Sequence, residues 1–193
     1  EIYQTNLLTK HNVCLYDLIL YIGKQYKFKP LIIETYREPV ARSISGLAHR
    51  NRISEISTTD YDEFKNRITV DFITSTSEPY SLKWKSYFSV DLIAEFNKTT
   101  NYFYKELAHI KLLFLKLEDV KNWAYIIKDA GYHYENIISN DATKSKFSEL
   151  YSEVVSKFRL SDEELNKIYQ NNLIESLYNQ IEIDSFKQKW GTS

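Results

Sequence analysis

The stretch "PLIIETYREPV", residues 30–40, constrains the fold more than any other part of the chain. Pro30 introduces a short continuous apolar run, which is typical of a β-strand buried on both faces. Pro39 suits the first turn of an α-helix, where its missing N–H group costs nothing. The stretch therefore predicts a buried strand that leads directly into a helix, the basic unit of an α/β fold.

The composition indicates one ordinary globular domain, which we assign to residues 1–193. Hydrophobic residues make up 43% of the chain and charged residues 26%, so the sequence can build a core. It contains no apolar run of the roughly 20 residues that a membrane helix needs. The formal net charge is −1, which gives no overall attraction to nucleic acids or anionic membranes. An anionic ligand would have to be held by a local cluster of side chains.

The single cysteine excludes two kinds of site. Cys14 has no partner for an intrachain disulfide, and its neighbours lack the spacing of a metal site. A lone thiol of this kind is typical of a buried residue in a reducing compartment. We therefore expect a cytoplasmic protein with no metal cofactor.

Helical and strand patterns alternate along the rest of the chain. We predict strands at Ile2–Thr5, near Asn101–Lys105 and near Lys111–Leu117. We predict helices after the caps Asn12, Asp60 and Ser161. A further helix is predicted to stop at Gly131 and to carry on one face Val120, Trp123, Ala124 and Ile127. The spacing of four apolar residues predicts another helix whose buried face contains Phe147, Leu150, Val154 and Phe158. Residues 75–96 give no regular pattern. These elements favour a layered α/β fold with a mainly parallel central sheet flanked by helices and a helical C-terminal third.

The residues after the predicted strand suggest an anion-binding site. Ligands of parallel α/β sheets bind beyond the carboxyl ends of the strands, where Arg37 is expected. The following helix would direct free N–H groups to the same place. On that helix Arg42, Ser45 and His49 share the face opposite the apolar stripe of Val40, Ile44, Leu47 and Ala48. We predict a phosphate held by Arg37 and Ser45, with Arg42 either assisting or bracing the loop.

The same residues have a simpler interpretation. An arginine at a strand end often pairs with a nearby carboxylate, and Glu38 is adjacent. Arg42, Ser45 and His49 could equally form a solvated helix face. Glu118 could either orient the sheet edge beside the site or cap a helix. Packing of Trp190 on the core accounts for the basic-aromatic sequence "FKQKWG".

Four segments together resemble the sulfotransferase superfamily, and most closely its bacterial group associated with capsular polysaccharide synthesis. "REPVARSIS" resembles the 3′-phosphate-binding motif, in which a serine follows the arginine by eight positions. The other three segments match in the same order over most of Ile2–Trp190: "SYFSVDLIAEFNKTTNYFYK", "LLFLKLEDV" and "NNLIESLYNQIEIDSFKQKW".

The resemblance implies a fold similar to nucleotide kinases and a reaction that uses 3′-phosphoadenosine 5′-phosphosulfate. Arg37 and Ser45 would hold the 3′-phosphate of this donor. A sulfonate group would then pass to a carbohydrate hydroxyl, which requires a general base. The expected acceptor is a surface polysaccharide.

Two parts of the family pattern are missing from the sequence. The Gly/Ser-rich loop that holds the 5′-phosphosulfate has no equivalent, so we expect the chain to lack its first strand–loop–helix unit and to have little activity alone. Gln4 and Asn6 stand where several relatives carry histidines. The remaining candidates for the base are His11, His49, His109 and Glu34, and no catalytic residue is assigned.

Two other functions stay open. A catalytically inactive binding or assembly protein of polysaccharide biosynthesis is favoured by Gln4 and Asn6. A phosphoryl-transfer enzyme of the related kinase fold would need a Gly-Lys-Ser/Thr loop, which the sequence lacks.

Overall fold

The computed structural model describes residues 15–26, 28–52, 60–133 and 148–192. The strands are β1 (Leu31–Tyr36), β2 (Tyr102–Glu106) and β3 (Lys111–Lys116). The α-helices are α1 (Leu15–Tyr26), α2 (Pro39–Arg52), α3 (Tyr61–Asn66), α4 (Val70–Thr76), α5 (Trp84–Phe88), α6 (Leu92–Glu95), α7 (Trp123–Asp129), α8 (Ser148–Lys157), α9 (Asp162–Tyr169), α10 (Asn172–Leu177) and α11 (Gln180–Trp190). Tyr80–Lys83 and Leu117–Asn122 form 3₁₀ turns.

The described strands form a mixed sheet in the order β1-β3-β2. β1 runs parallel to β3, whereas β2 and β3 are antiparallel. The prediction of a mixed helix–strand fold is confirmed, and all three predicted strands in this region exist. The mainly parallel arrangement is not seen among the described residues. Residues 107–110 close a tight connection in which Leu107 N–H donates to the Ile110 carbonyl at 2.9 Å, and so short a link can join only antiparallel strands.

β3, rather than β1, is the strand buried on both faces. Every residue from Leu112 to Lys116 is buried. β1 lies at the edge of the described sheet, and 45% of the Ile33 side chain is exposed. On that face, Ile33 borders an open groove of about 510 Å³ whose lining includes Phe28 and Trp123. The apolar run was correctly read as a strand, but its sequence could not show that its second face is only partly covered.

The main core lies on the other face of the sheet. Tyr36 and Phe114 stack there with their ring centroids 6.1 Å apart, and Val40 and Ile44 of α2 are fully buried beside them. A smaller cluster of Leu113, Leu115, Ile126 and Ile127 packs α7 against the opposite face. The apolar stripe of α2 was therefore predicted correctly. In the helix predicted to carry Val120, Trp123, Ala124 and Ile127 on its buried face, however, Val120 and Ala124 are exposed. Val120 belongs to a 3₁₀ turn that precedes α7, and the buried face of α7 consists of Ile126 and Ile127.

Local capping signals predicted several helix boundaries. Asp60 accepts a hydrogen bond from the Glu63 N–H, and Ser161 and Glu164 form a reciprocal capping box. The helix predicted after Asp60 ends early, because the Thr69 side chain accepts from the Phe72 N–H and starts a second helix, α4.

Residues 75–96, which gave no regular pattern, fold into short helical turns. They form the 3₁₀ turn and helices α5 and α6, and they carry the fully buried Trp84. Such short helices offer too few residues for a periodic pattern to emerge. Gly131 ends the α7 region with a φ of +86°, as its position predicted.

The predictions for Ile2–Thr5, Asn12, Cys14 and Phe147 concern positions outside the described residues. Within the described part of the chain, no helix is both long and apolar enough to cross a membrane.

The two helical glycines form a matched pair for a stability test. A Cβ atom on Gly23 would lie 2.3 Å from the backbone carbonyl oxygen of His109, whereas one on Gly46 would meet nothing within 4 Å. We expect Gly46→Ala to raise the free energy of unfolding by about 0.5–1 kcal/mol, since alanine favours the helix. Gly23→Ala should lower it by about 1 kcal/mol or more, because backbone must move. Urea denaturation of both variants measures the two changes, and stabilisation by Gly23→Ala would contradict the close approach.

Candidate anion-binding site

The predicted juxtaposition of a strand end and a helix start is present. β1 and β3 are parallel and in register at Tyr36 and Lys116, so their carboxyl ends meet at one edge of the sheet. Arg37 follows β1 directly, and α2 begins at Pro39. Arg37 therefore lies at the edge where ligands of such sheets bind.

Arg37 and Ser45 are both half-buried, so neither is sealed inside the protein. Ser45 lies six residues after Pro39, which places it about 9 Å along the axis of α2 at 1.5 Å per residue. Among the described residues, Arg37 forms no hydrogen bond or ion pair. The simpler interpretation, that Arg37 pairs with Glu38, does not hold, because the Glu38 carboxylate binds other donors.

Arg42 contacts the end of β1. Its guanidinium carbon lies 5.5 Å from the centre of the Tyr36 ring, a cation–π distance. Its Nη1 atom is buried and has no hydrogen-bond partner within the described part of the chain. Of the two predicted roles for Arg42, this contact favours bracing of the strand–helix turn.

Glu38 occupies the N-terminus of α2. Its carboxylate accepts hydrogen bonds from the N–H groups of Val40 at 2.9 Å and Ala41 at 2.6 Å. The prediction that the amides of this first turn bind an external anion is wrong for these two groups. The chain supplies its own carboxylate to the positive end of the helix.

The same carboxylate joins the turn to the C-terminal helices. Tyr169 Oη and Trp190 Nε1 each donate to it at 2.8 Å. Glu38 is 3% exposed, and this burial raises the pKa of its carboxyl group, although the four donors act in the opposite direction. Packing of Trp190 on the core is confirmed, and its ring is fully buried.

Glu118 holds the neighbouring strand end in place. Its carboxylate accepts from the Glu38 N–H at 2.8 Å and from Tyr178 Oη at 3.1 Å. Burial raises the pKa of the Tyr178 hydroxyl, and the charge of Glu118 adds to the effect. Of its two predicted roles, orientation of the sheet edge is the one that the contacts support.

Lys116 is a buried cation that sequence reasoning missed. It is 1% exposed, and its Nζ lies 2.5 Å from a Glu182 carboxylate oxygen and 4.6 Å from the centre of the Tyr178 ring. The signal was a lysine at the end of the otherwise apolar run "LLFL". Because its ammonium is already paired, Lys116 is not the cation that an external anion would meet first.

The candidate bases are scattered. His49 and His109 are exposed, and His11, Gln4 and Asn6 lie outside the described residues. Glu34 is half-buried on β1, and its burial raises the pKa of its carboxyl group. Within residues 15–26, 28–52, 60–133 and 148–192, no cluster of three or more His, Cys, Asp or Glu side chains could hold a metal ion.

Comparison with known proteins does not assign the chain to a family. No family model, no curated protein and no solved structure matches the sequence or the fold.

Loss of one donor to Glu38 should destabilise the fold. Tyr169→Phe removes a buried hydrogen bond to a carboxylate and leaves the ring in place. We expect the free energy of unfolding to fall by about 1.5–3 kcal/mol, the usual value for a bond to a charged group. Tyr125→Phe is the control, since that side chain is 73% exposed and should change stability little. Equal urea midpoints for both variants would show that the bond contributes nothing.

The raised pKa of Glu38 gives a pH dependence with a definite sign. The folded state has the higher pKa, so it binds more protons than the unfolded state between that pKa and the ordinary value of 4.5. Stability contributed by Glu38 therefore increases as the pH falls through its folded pKa. We expect the unfolding free energy of wild type minus that of Glu38→Gln to grow from pH 8 to pH 5.

Urea denaturation at each pH measures this difference, in which the contributions of other carboxyl groups cancel. Glu175→Gln, at an exposed carboxylate, is the control variant. A difference that shrinks on acidification would mean that the folded pKa of Glu38 is lowered instead.

Proposed function

We propose that this chain is a sulfotransferase-like protein that binds 3′-phosphoadenosine 5′-phosphosulfate and transfers its sulfonate group to a carbohydrate hydroxyl of a surface polysaccharide. The observation that carries the proposal is the position of Arg37 and its lack of a carboxylate partner among the described residues. Arg37 is a half-buried residue at the carboxyl edge of the sheet, and it pairs with no carboxylate of the described residues. A partly desolvated cation in this position is stabilised by a bound anion.

The neighbouring carboxylates support this interpretation. Glu38 is bound by four donors, and Glu118 accepts from Glu38 N–H and Tyr178 Oη. Both carboxylates therefore bind other donors, and neither forms an ion pair with Arg37. The guanidinium keeps its planar set of donors for a ligand, and this geometry suits a phosphate monoester.

Ser45 supplies a hydroxyl donor on α2, the helix that follows Arg37. The side chain is half-buried and lies on the face of α2 opposite Val40, Ile44 and Leu47. An arginine before the helix and a hydroxyl nearly two turns along it can hold two sides of one phosphate group. The resemblance of "REPVARSIS" to the 3′-phosphate-binding motif supplies the identity of the nucleotide.

A catalytically inactive binding protein of polysaccharide biosynthesis is the second candidate. One observation favours it: Glu38 already occupies the first-turn amides of α2, so these groups do not help to stabilise a transferring sulfonate. Transfer of labelled sulfonate by the protein to a polysaccharide would exclude this candidate.

Calorimetry with adenosine 3′,5′-bisphosphate tests the proposal. We expect saturable binding to the wild type, and Arg37→Ala should weaken it by about 2 kcal/mol or more, because a charge-assisted pair is lost. Arg159→Ala, at an exposed arginine remote in sequence, is the matched control.

The comparison ligand is adenosine 5′-phosphate, which lacks the 3′-phosphate. If Arg37 contacts that group, Arg37→Ala should leave the affinity for the monophosphate nearly unchanged. Absence of bisphosphate binding, or equal losses for both nucleotides, would refute the assigned role.

A further inference from the structure

An open groove lies beside β1 on the face of the sheet that is turned away from α2. Its volume is about 510 Å³, which is within the usual range of ligand-binding pockets, and its lining includes Phe28, Ile33 and Trp123. Leu31 and Ile33 are two residues apart on the strand, so both project from this face. Ile33 is 45% exposed and Phe28 is 51% exposed, so a ligand from solvent can reach both side chains.

The polar atoms of the aromatic rings in this groove already have partners within the protein. Trp123 Nε1 donates to the Lys116 carbonyl and Tyr132 Oη donates to the Lys29 carbonyl, both at 3.0 Å. The aliphatic part of the lining consists of Pro30, Leu31, Ile33 and Ile127. The polar groups of a carbohydrate would find few partners on these side chains, and such groups are costly to bury unpaired. The groove therefore suits a hydrocarbon chain.

A surplus positive charge lies at the end of the groove where β1 begins. Lys29 lines this end, and its Nζ lies 2.6 Å from a Glu106 carboxylate oxygen. Lys111 Nζ lies 3.9 Å from the other oxygen of the same carboxylate and 5.0 Å from the centre of the Tyr132 ring. Two partly exposed ammonium groups thus share one carboxylate. The charge that remains uncompensated between them attracts an anionic group.

We propose that this groove binds a fatty acid, with its hydrocarbon chain over Ile33 and Trp123 and its carboxylate at Lys29 and Lys111. Charge complementarity selects this occupant, because an apolar lining with a positive charge at one end matches an amphiphile with an anionic head group. The site is independent of the proposed function, since it lies on the face of the sheet opposite α2 and its ligand is not a nucleotide.

Calorimetry with sodium octanoate, decanoate and dodecanoate, each below its micelle concentration, tests the site. We expect the affinity to rise by about tenfold or more from octanoate to dodecanoate, since each buried methylene contributes up to about fourfold. Decyltrimethylammonium has a similar chain and the opposite charge. It should bind about fivefold or more weakly than decanoate, the difference expected from one partly exposed charge pair.

Two exposed residues of the groove provide the variants. Ile33→Asn and Phe28→Ala each remove apolar contact and should weaken decanoate binding by about fivefold or more. Lys29→Gln should reduce the preference for decanoate over decyltrimethylammonium. Ile181→Asn and Lys98→Gln change an exposed isoleucine and an exposed lysine elsewhere, and they should have no effect.

Tryptophan fluorescence locates the ligand by a second route. Trp84 and Trp190 are fully buried, whereas Trp123 lines the groove. A brominated decanoate should therefore quench the emission of Trp123, because bromine acts on a tryptophan that it contacts. Trp123→Phe should abolish the quenching.

Several results would overturn the proposal. Failure of all three carboxylates to bind, or an affinity independent of chain length, would show that the groove takes no hydrocarbon chain. Unchanged binding in both Ile33→Asn and Phe28→Ala, or quenching that persists in Trp123→Phe, would place the fatty acid elsewhere. A wild-type dimer in sedimentation that Ile33→Asn separates, without binding of any carboxylate, would show that a second copy of the chain covers the groove.

Discussion

The buried carboxylate of Glu38 is the interaction on which the strand–helix turn depends. Two backbone N–H groups of α2 and the side chains of Tyr169 and Trp190 donate to it. An unsatisfied charge at this depth would be strongly destabilising, so the four donors must be in place together. The carboxylate thus fixes the start of α2 and the position of the C-terminal helices relative to the sheet.

This arrangement also determines which groups face a ligand. The turn directs Glu38 inward, and its acidic neighbour Glu118 binds the Glu38 backbone and Tyr178. Arg37 is left half-buried without a carboxylate partner among the described residues. Arg42, five residues later, turns to the Tyr36 ring instead. Two arginines of one motif therefore have different environments, one at the proposed phosphate and one against the Tyr36 ring.

The sequence predicted those features that depend on nearby residues. β1, the helix start at Pro39, the caps Asp60 and Ser161 and the stop at Gly131 all follow from local rules. The inward turn of Glu38 did not, because its partners Tyr169 and Trp190 lie far along the chain. The buried Lys116 depends in the same way on Glu182, and the exposed face of β1 depends on which helices cover the sheet. A single sequence carries no direct record of such distant pairings.

The separation between Glu38 and its donors has a consequence during synthesis. Trp190 lies 152 positions after Glu38, and Tyr169 lies 131 positions after it. A nascent chain that has exposed β1 and α2 outside the ribosome still lacks both aromatic donors. The turn can reach its final state only after α11 has emerged, so this part of the domain is expected to mature long after its own residues have appeared.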